Sequence, residues 1–259
     1  MSTENLEPPA CLSVVIPLYN EESSLAEIVR KLQKIPQLLE IIIVDDCSTD
    51  RSADIARALS QADSRVRLIL QPQNSGKTAA LKVGFALTQG EIVIVQDADL
   101  EYDPEEIPLV IKPIIDGHAD VVFGSRFLVR RATRVLYFYH YVANKFLTFI
   151  SNLFTNLNMT DIETGYKAFR GDIIRNMVIV STGFGFEVEA TAKVAKLGCA
   201  IYEVPISYYG RTYEEGKKIG VRDGVLALWL IFRFNLFCGL SSAYRELPER
   251  RLPRQILNT

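Results

Sequence analysis

The sequence has 259 residues, of which 48% are apolar and 23% are charged, and its net charge at neutral pH is −2. This length suits one large domain with a sizeable core, and the near-neutral charge gives no reason to expect a nucleic-acid partner. The four cysteines are scattered and there are two histidines, so neither a disulfide framework nor a zinc site is expected. Because Met1–Pro9 is polar and acidic, unlike a signal peptide, we expect a protein of the reducing cytosol.

Strand and helix patterns alternate along the first half of the chain. Apolar, β-branched runs predict strands, and the segments between them predict helices. The predicted strands are Leu12–Pro17, Ile41–Val44, Val66–Leu70, Ile92–Val95 and Asp120–Phe123. The helices that follow are predicted to begin near Asn20, Ser48, Lys77 and Pro104. This alternation indicates an α/β fold with a single Rossmann-like, mostly parallel sheet flanked by helices.

The pattern changes in the second half of the chain. An aromatic-rich stretch over Val135–Leu157 and the segment Gly183–Leu197 predict helices, and Ala200–Val204 predicts a late strand. Gly224–Leu240 is strongly apolar, but it contains Arg233 and is short for a membrane span. We therefore expect a main domain over residues 1–222, and an apolar amphipathic helix with a basic tail over residues 223–259.

Three carboxylates follow the fourth predicted strand, at Asp97, Asp99 and Glu101. If the chain stays extended there, side chains two residues apart point to one side. They would then converge at the carboxyl end of the strand, where open α/β sheets bind ligands. Oxygen ligands of this kind suit Mg²⁺ or Mn²⁺ held jointly with substrate phosphates. The alternative is an ordinary polar strand end, because Asp is common in turns and helix caps.

Polar and aromatic residues also follow the first two strands. A ring with carboxylate acceptors can stack on a base and hydrogen-bond a ribose, so a nucleotide site is expected at this edge of the sheet. Its candidate residues are Pro17, Tyr19, Asn20, Glu21, Asp45 and Asp46. Gly76-Lys77-Thr78 is not a P-loop, because Gln71 stands where that motif requires glycine. Lys77 is nevertheless a candidate diphosphate contact, against the alternative that it only begins a helix.

Ordered motifs resemble those of family 2 glycosyltransferases, which have the GT-A fold. The motifs are Pro17-Leu18-Tyr19-Asn20-Glu21, Val44-Asp45-Asp46, Asp97-Ala98-Asp99 and Gly124-Ser125-Arg126. The later segments Thr164-Gly165-Tyr166-Lys167, Phe186-Glu187 and Arg211 to Lys218 resemble the polyprenol-phosphate sugar transferases, the group that includes dolichol-phosphate mannose synthase. The resemblance runs from about Leu12 to Arg222 and makes residues 1–222 the catalytic domain.

The resemblance implies transfer of a sugar, with inversion, from a GDP-mannose or UDP-glucose type of donor to polyprenyl phosphate. Asp97 and Asp99 would then hold the metal on the donor diphosphate, beside Ala98. Position 101, often Gln in mannose synthases, is Glu here, which leaves the donor sugar open. An alternative is a family 2 enzyme that uses a glycan or another lipid as acceptor, and a third hypothesis is a non-catalytic nucleotide-sugar-binding subunit.

An acceptor phosphate is already largely anionic, since its second pKa is roughly 6, so it needs cations more than a strong base. The candidate cations are Arg126, Arg131, Arg211 and Lys217. Asp161 and Glu187 could act as base, as sugar contacts or in structural hydrogen bonds. The loop that carries Arg211 and Lys217 has glycines at both ends and is expected to be a lid that closes over the acceptor phosphate.

The apolar helices beside arginine clusters suit a surface that touches lipid headgroups, although such helices are more often ordinary core. We expect peripheral contact with the cytoplasmic face of a membrane, aided by a membrane-anchoring partner or a homo-oligomer.

Overall fold

The computed structural model describes residues 9–128, 134, 137–211 and 220–248. Within them lies a seven-stranded sheet with the order β3-β2-β1-β4-β6-β5-β7. The strands are β1 (Leu12–Leu18), β2 (Leu38–Asp45), β3 (Val66–Leu70), β4 (Ile92–Val95), β5 (Val121–Ser125), β6 (Lys167–Arg170) and β7 (Ile201–Pro205). The six predicted strands are confirmed. β6 was not predicted, and it is the strand that runs antiparallel, to both β4 and β5.

Helices cover both faces of the sheet, as the alternating pattern predicts. They are α1 (Leu25–Leu32), α2 (Ser52–Ala62), α3 (Lys77–Leu87), α4 (Ile107–Ile115), α5 (Phe138–Thr155), α6 (Gly171–Asn176), α7 (Phe186–Leu197), α8 (Val221–Leu236) and α9 (Leu240–Ala243). The predicted start of α1 near Asn20 is wrong. Asn20 has a positive φ of 53°, and its backbone N–H donates to Ser48 of the β2–α2 loop, while the backbone N–H of Glu21 donates to Ser52, the first residue of α2.

Alternate residues of each central strand enter two different hydrophobic cores. Val14 and Ile16 of β1 pack with α1 and α4, whereas Val15 packs with α3 on the opposite face. Neighbouring strands repeat this alternation, because successive side chains of a strand point to opposite faces. Both faces of the sheet are therefore buried, which explains why the parallel strands read as continuous apolar runs.

α5 and α8 form an outer layer that packs on α7 rather than on the sheet. The inner side of α8 contributes Leu230, Ile231 and Phe234 to the core beneath α7. In the part of the chain that the structure describes, no helix is both long enough and apolar enough to cross a bilayer. The division of the chain at residue 222 stays a prediction.

The chain does not stay extended after β4. The strand ends at Val95, residues 98–102 turn, and Leu100 has a positive φ of 59°. The predicted geometry, with Asp97, Asp99 and Glu101 on one side of an extended segment, is therefore wrong. Asp97 and the pair Asp99 and Glu101 instead contact different cations.

Candidate active site

A cavity of about 450 Å³ opens at the carboxyl ends of β1, β2 and β4. Parallel strands bring the loops that follow them to one edge of the sheet, which is where α/β folds bind ligands. β6 runs the other way, so the segment before it, rather than after it, reaches the same edge. The cavity is therefore lined from both halves of the chain, including α5, α7 and α8.

The predicted nucleotide residues are divided by the structure into two groups. Pro17, Tyr19, Glu21, Asp46 and Ala98 line the cavity. Asn20 and Asp45 are not among the lining residues. Asn20 exchanges hydrogen bonds with Thr49, and Asp45 Oδ2 accepts a hydrogen bond from the backbone N–H of Ser48. Both residues tie the β1–α1 and β2–α2 loops in place, and a contact with the nucleotide stays a prediction for each.

Asp46 joins the second strand to the start of α3. Its carboxylate accepts hydrogen bonds from the backbone N–H groups of Ser75 and Gly76, at 2.8 and 2.7 Å, and from Gln71 Nε2 at 2.9 Å. Gly76 has φ of 88°, a conformation that favours glycine. This turn directs Lys77, the first residue of α3, into the cavity.

Lys77 bridges two carboxylates that are far apart in the sequence. Its Nζ lies 2.7 Å from Asp97 Oδ1 and 3.0 Å from Glu187 Oε1 on α7. Burial would lower the pKa of the Lys77 ammonium, but Asp97 and Glu187 outweigh it and hold the pKa well above its ordinary value. Lys77 is therefore a fixed positive charge between the two acidic residues.

Arg211 gathers a second group of carboxylates. Its guanidinium lies 3.0 and 3.1 Å from the two oxygens of Glu21 and 2.9 Å from Asp99 Oδ2. Its backbone N–H donates to Glu101 Oε1 at 2.8 Å, and the Tyr208 hydroxyl donates to Glu101 Oε2 at 3.0 Å. Both Glu101 oxygens are thus engaged by the segment that follows β7.

Arg126 is the third cation of the cavity wall. Its guanidinium donates to both oxygens of Asp161, at 2.6 and 2.7 Å, and lies 5.1 Å from the ring centre of Tyr208. Burial acts to raise the pKa of Asp161, but Arg126 outweighs it and keeps that pKa below its ordinary value. Asp161 is fully buried and does not line the cavity, so it lies behind Arg126.

Asp97 and Asp99 remain the pair with the donor chemistry for Mg²⁺ or Mn²⁺. Within the described ranges, no group of three or more His, Cys, Asp or Glu side chains is arranged to hold a metal ion. Asp97 contacts Lys77, and Asp99 and Glu101 both contact Arg211, so a metal contact stays a prediction for all three carboxylates. Burial, then the charges of Asp97 and Glu101, raise the pKa of Asp99 to about 7. Such crowding fits a divalent cation shared with substrate phosphates, because added positive charge relieves it.

Several residues of the cavity were not predicted. Glu163 and Tyr102 line it, and Lys167 is fully buried beside it, with burial lowering its pKa to about 8. Glu163 precedes the unpredicted strand β6, so no apolar pattern in the sequence placed this residue at the edge of the sheet where the cavity lies. Arg131 and Lys217, and the centre of the predicted lid at 212–219, lie outside the described residues.

Replacing Lys77 by Ala should destabilise the fold by about 3 kcal/mol, because removing one partner of a buried ion pair leaves the others uncompensated. Urea unfolding measures this change. Lys82→Ala is the control, since Lys82 lies on the same helix and is exposed. We also expect weaker binding of a nucleoside diphosphate to Lys77→Ala by calorimetry; unchanged affinity would limit Lys77 to a structural role.

Comparisons with known proteins agree with this geometry. A family model described as "Glycosyl transferase family 2" matches residues 13–178. Undecaprenyl-phosphate mannosyltransferase from Micrococcus luteus is 32% identical over 216 residues, which cover 80% of this chain and 86% of the relative. Polyprenol monophosphomannose synthase from Mycolicibacterium smegmatis is 30% identical over 214 residues, which cover 80% of each protein.

Among solved structures, glucosyl-3-phosphoglycerate synthase from Mycobacterium tuberculosis, in complex with Mn²⁺, uridine diphosphate and phosphoglyceric acid, is similar with a TM-score of 0.68. The match has 20% identity and covers 88% of this chain and 79% of that chain. At this identity it supports the fold and nothing more specific. The family model spans more than half of the sequence, and two relatives at 30% identity or more align over most of their length. The chain therefore belongs to glycosyl transferase family 2, has the GT-A fold and is a glycosyltransferase.

Proposed function

We propose that this enzyme transfers a sugar from a nucleotide diphosphate sugar to polyprenyl phosphate, in a metal-dependent reaction that inverts the anomeric carbon. The observation that carries the proposal is one cavity that combines the Asp97 and Asp99 carboxylates with the largely buried guanidinium of Arg126. The two carboxylates suit a metal ion bound to a donor diphosphate, and the guanidinium suits an anionic acceptor. The names of the relatives from Micrococcus luteus and Mycolicibacterium smegmatis support the same acceptor class.

Asp97 and Asp99 would hold Mg²⁺ or Mn²⁺, which would neutralise the charge that develops on the leaving diphosphate. Lys77, beside Asp97, can add positive charge to the same region. Pro17, Tyr19 and Glu21 would bind the nucleoside, with Asp46 holding the start of α3 against it. Whether the donor is of the GDP-mannose or the UDP-glucose type stays open, since none of these contacts reads a particular base.

Arg126 would bind and orient the phosphate of the acceptor. A phosphate monoester is already anionic near neutral pH, since its second pKa is roughly 6, so positioning matters more than proton removal. Asp161 has both oxygens on Arg126 and a lowered pKa, which suits a residue that positions the guanidinium better than a general base. Arg131 and Lys217 are proposed as further phosphate contacts from the sequence alone.

Product extraction tests this function. The purified enzyme is incubated with Mn²⁺, radiolabelled GDP-mannose or UDP-glucose, and a polyprenyl phosphate. We expect the label to enter the organic phase as an acid-labile lipid phosphate, and to stay in water when the uncharged polyprenol replaces its phosphate. Label transferred to a glycan or to the uncharged lipid, with none on the phosphate, would favour the alternative acceptors.

A polyprenyl acceptor requires access to a membrane, and two exposed apolar stripes suit this contact. On α5, Phe138, Val142, Phe146, Phe149 and Leu153 follow a helical spacing, and Phe149 and Leu153 are 63% and 69% exposed. On the adjoining α8, Val225, Trp229 and Leu236 form a second stripe, with Arg222 and Arg233 at the same spacing. Aromatic residues interleaved with cations are typical of surfaces that bind lipid headgroups.

We expect Phe149→Asp and Trp229→Asp each to lower binding to vesicles that contain anionic lipid, by roughly tenfold or more per substitution, because each removes a large apolar side chain and adds a repelled charge. Vesicle flotation measures the change. Leu70→Asp is the control, since Leu70 is 51% exposed at the end of β3, away from both stripes. Equal binding of all three variants would count against a membrane-facing role for α5 and α8.

We propose that the enzyme works at the cytoplasmic face of the membrane. A membrane-anchoring partner or a homo-oligomer would supplement the two stripes, because peripheral contact through apolar side chains is reversible.

A further inference from the structure

Glu163 lies in the segment that leads into β6, and it lines the cavity. Because β6 is antiparallel to its neighbours, the residues before it lie beside the carboxyl end of β4. Gly165 fixes the approach of this segment, since a side chain there would collide with the Asp97 carboxylate. The backbone N–H of Gly165 donates a hydrogen bond to the Tyr102 hydroxyl at 3.1 Å, which also fixes the position of this segment. Glu163 is thus held next to the proposed diphosphate site.

Glu163 and Glu187 present acceptor atoms that the protein leaves unsatisfied. Within the described residues, Oε1 of Glu163 and Oε2 of Glu187 are buried and have no hydrogen-bond partner. The Glu187 residue as a whole is 95% buried. The other Glu187 oxygen binds Lys77. Buried polar atoms are rarely left unpaired, because each costs about 1–3 kcal/mol. Two such atoms in the wall of one cavity point to a ligand that supplies the missing donors.

The buried cation Lys167, whose charge acts on Glu163, does not hydrogen-bond it. The Lys167 ammonium donates instead to the backbone carbonyls of Ile162, at 2.9 Å, and Thr164. Burial, followed by the charge of Glu187, raises the pKa of Glu163 to about 7, which agrees with a carboxyl group that the surrounding protein compensates poorly. The pair therefore combines acceptor oxygens with negative charge.

We infer that Glu163, together with Glu187, hydrogen-bonds hydroxyl groups of the donor's sugar ring and selects uncharged sugars over anionic ones. The inference rests on the proposed function, because it takes the donor diphosphate to lie at Asp97 and Asp99. Glu187 reaches Asp97 through Lys77, so the two glutamates flank the position where the sugar attached to that diphosphate would lie. Hydroxyl groups supply the donors that the two oxygens lack, and a sugar carboxylate would be repelled.

The test compares a nucleotide sugar with its nucleoside diphosphate. Calorimetry with Mn²⁺ measures the affinity of the wild type, Glu163→Ala and Glu163→Gln for UDP-glucose and UDP, and for GDP-mannose and GDP. We expect Glu163→Ala to bind the accepted nucleotide sugar about 10-fold more weakly or worse, in line with a lost hydrogen bond to a charged group. Binding of the nucleoside diphosphate should change less than about twofold, and Glu163→Gln should lose less because its carbonyl still accepts.

The matched control is Glu27→Ala, because Glu27 is a half-exposed glutamate on α1, and its ion pair with Arg30 spans 3.9 Å. A second comparison uses UDP-glucuronic acid, which the wild type should bind more weakly than UDP-glucose. Glu163→Ala should narrow that difference. The melting temperature of Glu163→Gln should hold or rise, since the substitution removes an uncompensated buried charge.

Equal losses for the nucleotide sugar and its nucleoside diphosphate, or no loss for either, would overturn the inference. A failure of the proposed function looks different. If lipid phosphate receives no label but Glu163→Ala still discriminates between sugar and diphosphate, the acceptor is wrong and the Glu163 inference stands. If lipid phosphate is labelled while the Glu163 variants bind both ligands like the wild type, the function stands and the inference fails.

Discussion

Replacing Asp99 by Asn should lower sugar transfer by at least about 10³-fold while the fold survives, because the substitution removes a charged oxygen ligand from the proposed metal and diphosphate site. The residue is crowded in the structure: burial and the charges of Asp97 and Glu101 raise its pKa to about 7. An amide of the same shape relieves that repulsion. We therefore expect transfer and metal-dependent nucleotide binding to fall together, without a loss of stability in the absence of metal.

Initial rates at saturating donor, calorimetry with and without Mn²⁺, and thermal unfolding in EDTA provide the three readouts. Asp54→Asn is a suitable control, since Asp54 is an exposed residue of α2. The melting temperature of Asp99→Asn in EDTA should equal or exceed that of the wild type. Wild-type turnover by Asp99→Asn, or full wild-type activity in excess EDTA, would rule out the metal assignment.

Replacing Arg211 by Ala should lower transfer to polyprenyl phosphate by about 10²-fold or more, because bidentate contacts of arginine with phosphate are not replaced by water. The sequence led us to expect Arg211 on the acceptor phosphate. In the structure its guanidinium binds Glu21 and Asp99 instead. Both arrangements are compatible with the proposed function: Mg²⁺ or Mn²⁺ held by Asp97 and Asp99 would supply positive charge to Asp99 in place of Arg211, and the guanidinium would then bind the acceptor phosphate.

If Arg211 and a divalent cation compete for Asp99, the Arg211→Ala variant should also differ from the wild type in metal binding. Arg211→Ala should bind Mn²⁺ as tightly as the wild type or more tightly, and Mn²⁺ should raise its melting temperature more, since the Asp99 carboxylate loses its contact with the guanidinium. Arg211→Lys serves as the conservative variant, because it keeps the charge but loses the planar fork. Steady-state kinetics with varied acceptor, together with titration of the donor, distinguish a role of Arg211 at the acceptor phosphate from a role in the nucleotide site. A collapse of donor affinity with unchanged acceptor dependence would assign Arg211 to the nucleotide site.

The parallel part of the sheet could be predicted from the sequence because its strands are buried on both faces and read as uninterrupted apolar runs. β6 could not, since its four residues, Lys167 to Arg170, begin and end with cations. Both cations are buried and are satisfied only in the folded protein, Lys167 by backbone carbonyls and Arg170 by Asp120 at 2.6 Å. A strand with a buried cation at each end does not show the apolar run that predicts a buried strand, so the local pattern does not reveal β6.

The site was predicted as far as sheet topology determines it. Residues after β1, β2 and β4 meet because the carboxyl ends of parallel strands share an edge. The ion pairs within the site depend on tertiary structure instead. Arg211 and Asp99 are separated by more than a hundred residues, and the turn at Leu100 decides that Asp97 and Asp99 contact different cations. Glu163 was missed because it belongs to the segment before an unpredicted strand.

The position of β6 in the sheet also sets an order of assembly during synthesis. β1 to β4 are made first and are contiguous in the sheet, but β4 has no second neighbour until Lys167–Arg170 has been translated. Until then the nascent chain carries an apolar strand with an open edge, the kind of surface that pairs with other chains. Asp97 and Asp99 directly follow that edge, so the cavity can close only when the later half of the polypeptide arrives.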